Sequence, residues 1–163
     1  MRYASIRKMD IVNGEGIGVS LFVQGCPFHC KGCFNQETWD FNGGKEFTKE
    51  IEEKFIKLIY QPFITRVSFL GGEPMCYPNY LISLIKKIKA IKPNIKIWLW
   101  SGFSYENIIA NKERSNLLYH LDYLIDGKYI EELKNLNLKW RGSSNQRIWK
   151  KDNDGIWNIN MKM

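Results

Sequence analysis

Four short apolar segments, each followed by a glycine-containing loop, constrain the fold of this chain more than any other feature. They cover residues 19–23, 66–70, 95–100 and 123–125. An amphipathic stretch at residues 79–91, with apolar side chains at helical spacing, lies between the second and third segments. Strands that alternate with helices predict right-handed crossovers and a mostly parallel α/β sheet. Because ligands bind at the carboxyl ends of parallel strands, we expect the four loops to face one common site.

Two further helices and a terminal hairpin complete the predicted elements. Residues 48–58 have helical spacing, with Thr48 at the N-cap position, and residues 105–109 begin another helix. The tail from Arg147 onward places apolar residues on both sides of a polar turn, which predicts a β-hairpin that turns near Asp154 and Gly155.

Length and composition restrict the class of protein. A chain of 163 residues predicts a single domain over 1–163, and 44% hydrophobic with 14% aromatic residues exclude disorder. No apolar stretch approaches the ~20 residues of a membrane-spanning helix, and no signal peptide is recognised, so we expect a cytoplasmic protein with no membrane partner. The net charge of +7 comes from scattered lysines and arginines, which favours solvated helix faces and predicts no nucleic-acid partner.

Three cysteines in the loop after the first segment carry the strongest chemical signal. Cys26, Cys30 and Cys33 have the spacing C-x3-C-x2-C, which in a cytoplasmic protein indicates metal or redox chemistry. A cluster that only transfers electrons usually has four cysteine ligands, so three ligands would leave one iron open for a substrate. A structural zinc site needs four ligands, and either Cys76 or His29 could supply the fourth, so zinc stays an alternative.

Residues 19–35, which contain the strand and the three cysteines, resemble the signature of the radical S-adenosylmethionine superfamily, and in particular of its glycyl-radical activating enzymes. In that superfamily the three cysteines hold a [4Fe–4S] cluster, and S-adenosylmethionine binds its open iron. The resemblance therefore implies that Cys26, Cys30 and Cys33 are both metal ligands and catalytic residues. Many members carry an aromatic residue just before the last cysteine, whereas this chain has Gly32 there and Phe34 after it, as in the activating branch.

A second motif, Gly71-Gly72-Glu73-Pro74, resembles the superfamily motif that binds the methionyl amino group of S-adenosylmethionine. The fold implied by the resemblance is an incomplete (βα) barrel with mostly parallel strands, extended here by the C-terminal hairpin. The implied contacts with S-adenosylmethionine are Gly32, Cys33, Phe34, Gly71, Gly72 and Glu73.

Residues 140–146, Trp-Arg-Gly-Ser-Ser-Asn-Gln, separate the branches of this superfamily. They resemble the motif of the enzymes that activate the anaerobic (class III) ribonucleoside-triphosphate reductase by forming a glycyl radical on it. The resemblance implies that reductase as a partner, and the basic surface suits a reduced, acidic, flavodoxin-like electron donor.

Two alternatives remain open on sequence grounds. One is another radical S-adenosylmethionine enzyme, which activates a different glycyl-radical enzyme or acts on a small molecule. The other, from a different class, is a zinc-bound basic RNA-binding module, whose affinity would fall steeply with salt.

Overall fold

A computed structural model of the protein describes residues 1–160, which contain eight β-strands and four α-helices. The strands are β1 (Arg2–Asp10), β2 (Gly18–Val23), β3 (Lys45–Glu46), β4 (Arg66–Gly71), β5 (Lys96–Ser101), β6 (Tyr123–Asp126), β7 (Arg147–Lys151) and β8 (Trp157–Ile159). The helices are α1 (Lys49–Ile59), α2 (Pro78–Ile91), α3 (Tyr105–Ile109) and α4 (Lys112–Tyr119). None of the helices in this part of the chain is long and apolar enough to cross a bilayer.

All eight strands belong to one mixed sheet with the order β3-β1-β2-β4-β5-β6-β7-β8. The four central strands, β2, β4, β5 and β6, are parallel to one another, which confirms the predicted α/β class. Antiparallel pairs extend the sheet at both edges. The sheet is open, because β3 and β8 lie at opposite ends of the order.

Most predicted elements lie within one or two residues of their observed positions. Thr48 caps α1, since its hydroxyl accepts a hydrogen bond from the Ile51 amide. The predicted hairpin is β7 and β8, and its turn contains Gly155 at φ 80°. Three elements, β1, β3 and α4, were not predicted from the sequence. Most positions of β1 are exposed or partly exposed, and several of them are charged. The helix α4 buries only Leu117 and Leu118. Neither element therefore has a strong apolar pattern in the sequence.

The two faces of the sheet have different surroundings. Along β2, Val19, Leu21 and Val23 belong to the main core, together with apolar residues of the helices. Phe22 points to the opposite face, where it lines a cavity. Because successive side chains of a strand alternate between faces, the parallel strands bury one row under the helices, while Phe22, Leu70 and Trp100 of the other row line the cavity.

A buried ion pair fixes the segment between β1 and β2. Asp10 and Arg66 are each 1% exposed, and the Arg66 Nη2 atom lies 3.7 Å from the Asp10 Oδ1 atom. Arg66 also donates hydrogen bonds to the Ser68 hydroxyl at 2.7 Å and to the Glu15 carbonyl at 3.1 Å. Burial raises the pKa of Asp10, but hydrogen bonds, first of all from Ser20, outweigh it and hold that pKa below its ordinary value.

Candidate active site

A cavity of about 460 Å³ lies on the sheet face opposite the helices, and the loops after β2, β4, β5 and β6 all contribute to it. This arrangement confirms that the four glycine-containing loops face one site. The cavity is lined by all the predicted site residues except Gly32: Cys26, Cys30, Cys33, Phe34, Gly71, Gly72 and Glu73.

The cysteine loop is closed at its base by backbone pairing. Gly25, at φ 103°, donates to the Thr38 carbonyl at 2.7 Å, and the Cys26 amide donates to the Trp39 carbonyl at 3.1 Å. The buried Gln24 side chain adds hydrogen bonds to the carbonyls of residues 37 and 40. These contacts hold residues 26–39 as a compact loop that extends from the end of β2 over the cavity.

The three cavity cysteines are half-buried free thiols. Burial raises the pKa of Cys26 and of Cys30, so both are protonated near neutral pH before a metal binds. The Asn35 amide donates to the Cys33 sulfur at 3.4 Å. Metal binding at these thiols would therefore release protons as each becomes a thiolate.

Three thiols of the cysteine loop form the donor set of the cavity. Cys26, Cys30 and Cys33 all line it, and an iron–sulfur cluster takes its thiolate ligands at separate irons. The ligand set is soft, which suits iron–sulfur chemistry.

The two residues considered as a fourth zinc ligand have other surroundings. His29 is exposed, and its ring stacks on Trp39 with ring centroids 4.7 Å apart. Cys76 is half-buried and lies in the turn Pro74–Cys76, outside the lining of the cavity. Burial raises the pKa of the Cys76 thiol to about 11.

Gly71 and Gly72 pack backbone against backbone on the root of the cysteine loop. A Cβ at Gly72 would lie 2.3 Å from the Gly25 carbonyl oxygen, and Gly71 has φ 111°. The Gly72 amide donates to the Val23 carbonyl at 2.9 Å, and the Glu73 amide donates to Gly25 at 2.8 Å. Only residues without a side chain allow this close approach.

Glu73 links the loops after β4 and β5. Its side chain is buried, and Oε1 accepts hydrogen bonds from the Met75 amide and the Ser101 hydroxyl, both at 2.9 Å. The Gly102 amide donates to Oε2 at 2.7 Å. Burial raises the pKa of Glu73 to about 7, although these hydrogen bonds act in the opposite direction. The carboxylate therefore orients both loops while it places an acidic group behind the cavity.

We expect Glu73 to make the stability of the metal-free protein depend on pH. Its pKa is about 7 in the folded state against an ordinary 4.5, so the folded state binds the proton more tightly. The free energy of unfolding should then fall as pH rises from about 4.5 to about 7, and level off above. Since one pKa unit is about 1.4 kcal/mol, the fall is about 3 kcal/mol.

The variant Glu73→Gln tests this expectation by urea denaturation between pH 4.5 and 7.5. Glutamine does not titrate, so its profile should lack the downward slope of the native protein. Glu50→Gln, on an exposed helix surface, serves as the control and should keep the native slope. Equal slopes for Glu73→Gln and the native protein would contradict the assignment.

The loops after β5 and β6 form the other side of the cavity. Ser101 and Gly102 line it, as expected from their position at the end of the third apolar segment. A Cβ at Gly102 would lie 2.5 Å from the Phe28 ring, so the β5 loop packs directly on the cysteine loop. Trp98 is 1% exposed, and its ring stacks on Tyr123 with ring centroids 3.9 Å apart.

Several cavity residues were not predicted from the sequence. Arg7, from β1, lines the cavity, and its guanidinium lies 5.4 Å from the Phe22 ring centroid. Lys128 and Tyr129 line it from the loop after β6. Lys128 directly follows Gly127 in the loop after the fourth apolar segment, and this position was a sequence signal that Lys128 lies at the site. No local sequence feature indicated Arg7.

Comparison with known proteins agrees with this geometry. Residues 12–149 match the family of the 4Fe-4S single cluster domain. This range includes all three cavity cysteines, and the match argues against the zinc alternative.

The chain also resembles several curated proteins along most of its length. It is 39% identical over 152 residues to the anaerobic ribonucleoside-triphosphate reductase-activating protein of Vibrio cholerae, covering 91% of this chain and 97% of that protein. The protein of the same name from Salmonella typhi has the same identity and coverage. That of Enterobacteria phage T4 is 38% identical over 160 residues, covering 96% of this chain and 98% of its own length. The chain thus belongs to the family of anaerobic ribonucleoside-triphosphate reductase-activating proteins.

Proposed function

We propose that this protein activates an anaerobic ribonucleoside-triphosphate reductase, by cleaving S-adenosylmethionine at a [4Fe–4S] cluster and forming a glycyl radical on the reductase. One observation carries the proposal: three free cysteine thiols on a single loop line one cavity at the carboxyl ends of parallel strands. The curated relatives, which are named as activating proteins of that reductase, supply its identity.

Cys26, Cys30 and Cys33 would hold the cluster, because their thiols line the same cavity and come from one compact loop. When bound, the cluster supplies one-electron chemistry, namely reductive cleavage of S-adenosylmethionine and thereby removal of a hydrogen atom from a glycine Cα of the reductase. The protein contributes position and exclusion of water. With Cys26, Cys30 and Cys33 as the three protein ligands, one iron would stay open for the substrate.

The loop of Gly71, Gly72 and Glu73 is suited to the methionyl amino group. The amides of Gly72 and Glu73 already donate to backbone carbonyls of the cysteine loop root, so the loop can offer carbonyl oxygens to an ammonium. When it is ionised, the buried Glu73 carboxylate adds negative charge next to them. We therefore expect this loop to accept hydrogen bonds from the substrate.

The remaining predicted contacts come from the cysteine loop. Cys33 and Phe34 line the cavity, and their backbone is proposed to contact S-adenosylmethionine. Gly32 lies outside the lining of the cavity and has φ 76°. We infer that its left-handed backbone makes the turn that directs Cys33 and Phe34 toward the cavity. Its own contact with the nucleotide stays a prediction.

The surroundings of the site suit a large protein substrate. The open sheet is compatible with an incomplete barrel of the radical S-adenosylmethionine type, built from one domain, whose mouth admits a glycine-bearing loop of the reductase. Close docking is required, because hydrogen abstraction depends on prearranged contact. The net charge of +7 suits a reduced, acidic, flavodoxin-like donor, and we place the reaction in an anaerobic cytoplasm.

Anaerobic reconstitution tests the proposal. We expect about four irons and four sulfides per chain, dithionite-dependent cleavage of S-adenosylmethionine, and a glycyl radical signal in electron paramagnetic resonance only after the reductase is added. Omission of S-adenosylmethionine is the control. Zinc in place of iron would refute the cluster, and cleavage without a radical on the reductase would indicate a different radical enzyme.

A further inference from the structure

Three exposed apolar side chains lie within four residues of one another where β1 ends. Met9, Ile11 and Val12 are 62%, 73% and 63% exposed, and we name these three residues the apolar corner. Single exposed hydrophobic side chains are ordinary on protein surfaces, whereas contiguous ones indicate interaction sites. Val12 also lines the cavity. The apolar corner is therefore an exposed surface that borders the candidate active site.

The backbone of the apolar corner is held in one conformation by a buried carboxylate. The Val12 and Asn13 amides donate to Asp10 Oδ1 at 2.7 and 3.1 Å, and Asn13 Nδ2 donates to Asp10 Oδ2 at 2.6 Å. The Ser68 hydroxyl donates to the Asn13 carbonyl at 2.6 Å. A partner would thus meet a preformed surface, which lowers the cost of ordering the interface on binding.

The apolar corner and the cysteines lie at opposite ends of the cavity. Asp10 pairs with Gly18, the first residue of β2, whereas the cysteine loop follows Val23, the last residue of that strand. The six residues of β2 span about 17 Å. Arg7 pairs with Ser20, in the middle part of β2, and lines the cavity there. The cavity therefore extends along β2 from the cysteine loop to the apolar corner.

This separation leaves the apolar corner accessible to a protein substrate. The proposed cluster ligands and the proposed contacts with S-adenosylmethionine come from the loops after β2 and β4, at the other end of the cavity. A glycine-bearing loop must reach that end, since hydrogen abstraction requires close contact. A large protein that inserts such a loop also covers the surface around the cavity. It can cover the apolar corner without displacing S-adenosylmethionine.

The charge beside the apolar corner indicates the chemistry of its partner. Arg7 and Lys8 directly precede Met9, and both are exposed. The neighbouring acidic residue, Asp10, is buried and paired with Arg66. The accessible charge next to these apolar side chains is therefore positive. We expect the complementary surface to combine apolar side chains with carboxylates.

We propose that the apolar corner is the docking surface for the anaerobic ribonucleoside-triphosphate reductase, whose glycine-bearing loop extends from there along β2 to the cysteine end of the cavity. This inference rests on the proposed function, because it takes the reductase as the protein substrate. Ile11 has the largest exposed fraction of the three side chains, so it offers the most apolar surface to the partner.

The variant Ile11→Ser tests the proposal through anaerobic titration calorimetry of the reconstituted protein with the purified reductase. We expect the Kd to rise about tenfold, as for truncation of a central interface side chain, and the KM for the reductase in glycyl radical formation to rise with it. Iron content, far-ultraviolet circular dichroism and dithionite-dependent cleavage of S-adenosylmethionine without reductase should stay native, because Ile11 lies outside the cavity lining.

Tyr60→Ser is the control for this variant. Tyr60 is 67% exposed and directly follows α1, on the helix side of the sheet, so its replacement should leave the Kd for the reductase native. The double variant Met9→Ser with Ile11→Ser removes more of the apolar corner and should weaken binding further than Ile11→Ser alone.

A native Kd for the reductase in both Ile11→Ser and the double variant would overturn the proposal. A native dimer that Ile11→Ser separates in sedimentation, with unchanged affinity for the reductase, would overturn it as well, because the apolar corner would then pair two copies of this chain. Absence of binding by the native protein has the same consequence. Binding that depends on Ile11 but yields no glycyl radical would refute the proposed function alone.

Discussion

An alanine in place of Cys30 is expected to abolish cluster binding and cleavage of S-adenosylmethionine while the fold stays intact. Cys30 lines the cavity from the cysteine loop, and two remaining thiolates do not hold a cubane cluster that needs cysteine at three of its irons. The thiol is only half-buried, so its removal should change the free energy of unfolding by about 1 kcal/mol or less. Iron and sulfide analysis, the cleavage assay and thermal unfolding of the metal-free protein measure the three effects.

Cys76→Ala is the matched control for that variant. Cys76 is also a half-buried free thiol, but it lies outside the cavity lining. The Cys76→Ala protein should therefore retain native iron content and activity. Full iron content in Cys30→Ala, or loss of iron in Cys76→Ala, would contradict the assignment of the ligands.

The variant Asp10→Ala is expected to lose about 3–5 kcal/mol in free energy of unfolding, because it leaves the buried Arg66 guanidinium without its charged partner. Both side chains of this pair are 1% exposed or less. The pair also fixes the segment between β1 and β2 at the end of the cavity where Asn13 lines it. Urea denaturation of the metal-free protein at neutral pH measures the loss.

Two further variants make this expectation specific. Asp10→Ala combined with Arg66→Met should recover part of the lost stability, because it removes the uncompensated charge. Glu50→Ala, which breaks the exposed pair between Glu50 and Lys54, should cost about 1 kcal/mol or less. An Asp10→Ala protein within 1 kcal/mol of the native one would show that the pair adds little.

The same pair predicts the behaviour of the protein in acid. The pKa of Asp10 lies below its ordinary value of 3.8 in the folded state, where hydrogen bonds, first from Ser20, outweigh burial. Its contribution is therefore complete above that ordinary value and is lost as pH falls through the lower, folded pKa. The acid limb of the stability profile should be less steep in Asp10→Ala than in the native protein.

The parallel core and the position of the cysteines were predictable because their signals are local. The segment 19–23 is apolar apart from Ser20 and is followed by Gly25, which is enough to place a buried strand and a loop. The spacing of Cys26, Cys30 and Cys33 places three thiols on that loop, and this placement does not depend on how the rest of the chain folds. The strand β1, next to the edge strand β3, was not predicted because its exposed and charged positions hide the period of two.

The hydrogen bonds that hold the loops of the site in place depend on the tertiary structure. The sequence alone determined that four loops meet at one side of a parallel sheet and that one of them carries three thiols. It did not reveal that Glu73 accepts a hydrogen bond from the Ser101 hydroxyl, or that the Gln146 side chain donates one to the Gly127 carbonyl. The physical reason is that periodicity and loop spacing are encoded in neighbouring residues. Contacts between residues far apart in the chain depend instead on the order and twist of the strands that bring them together.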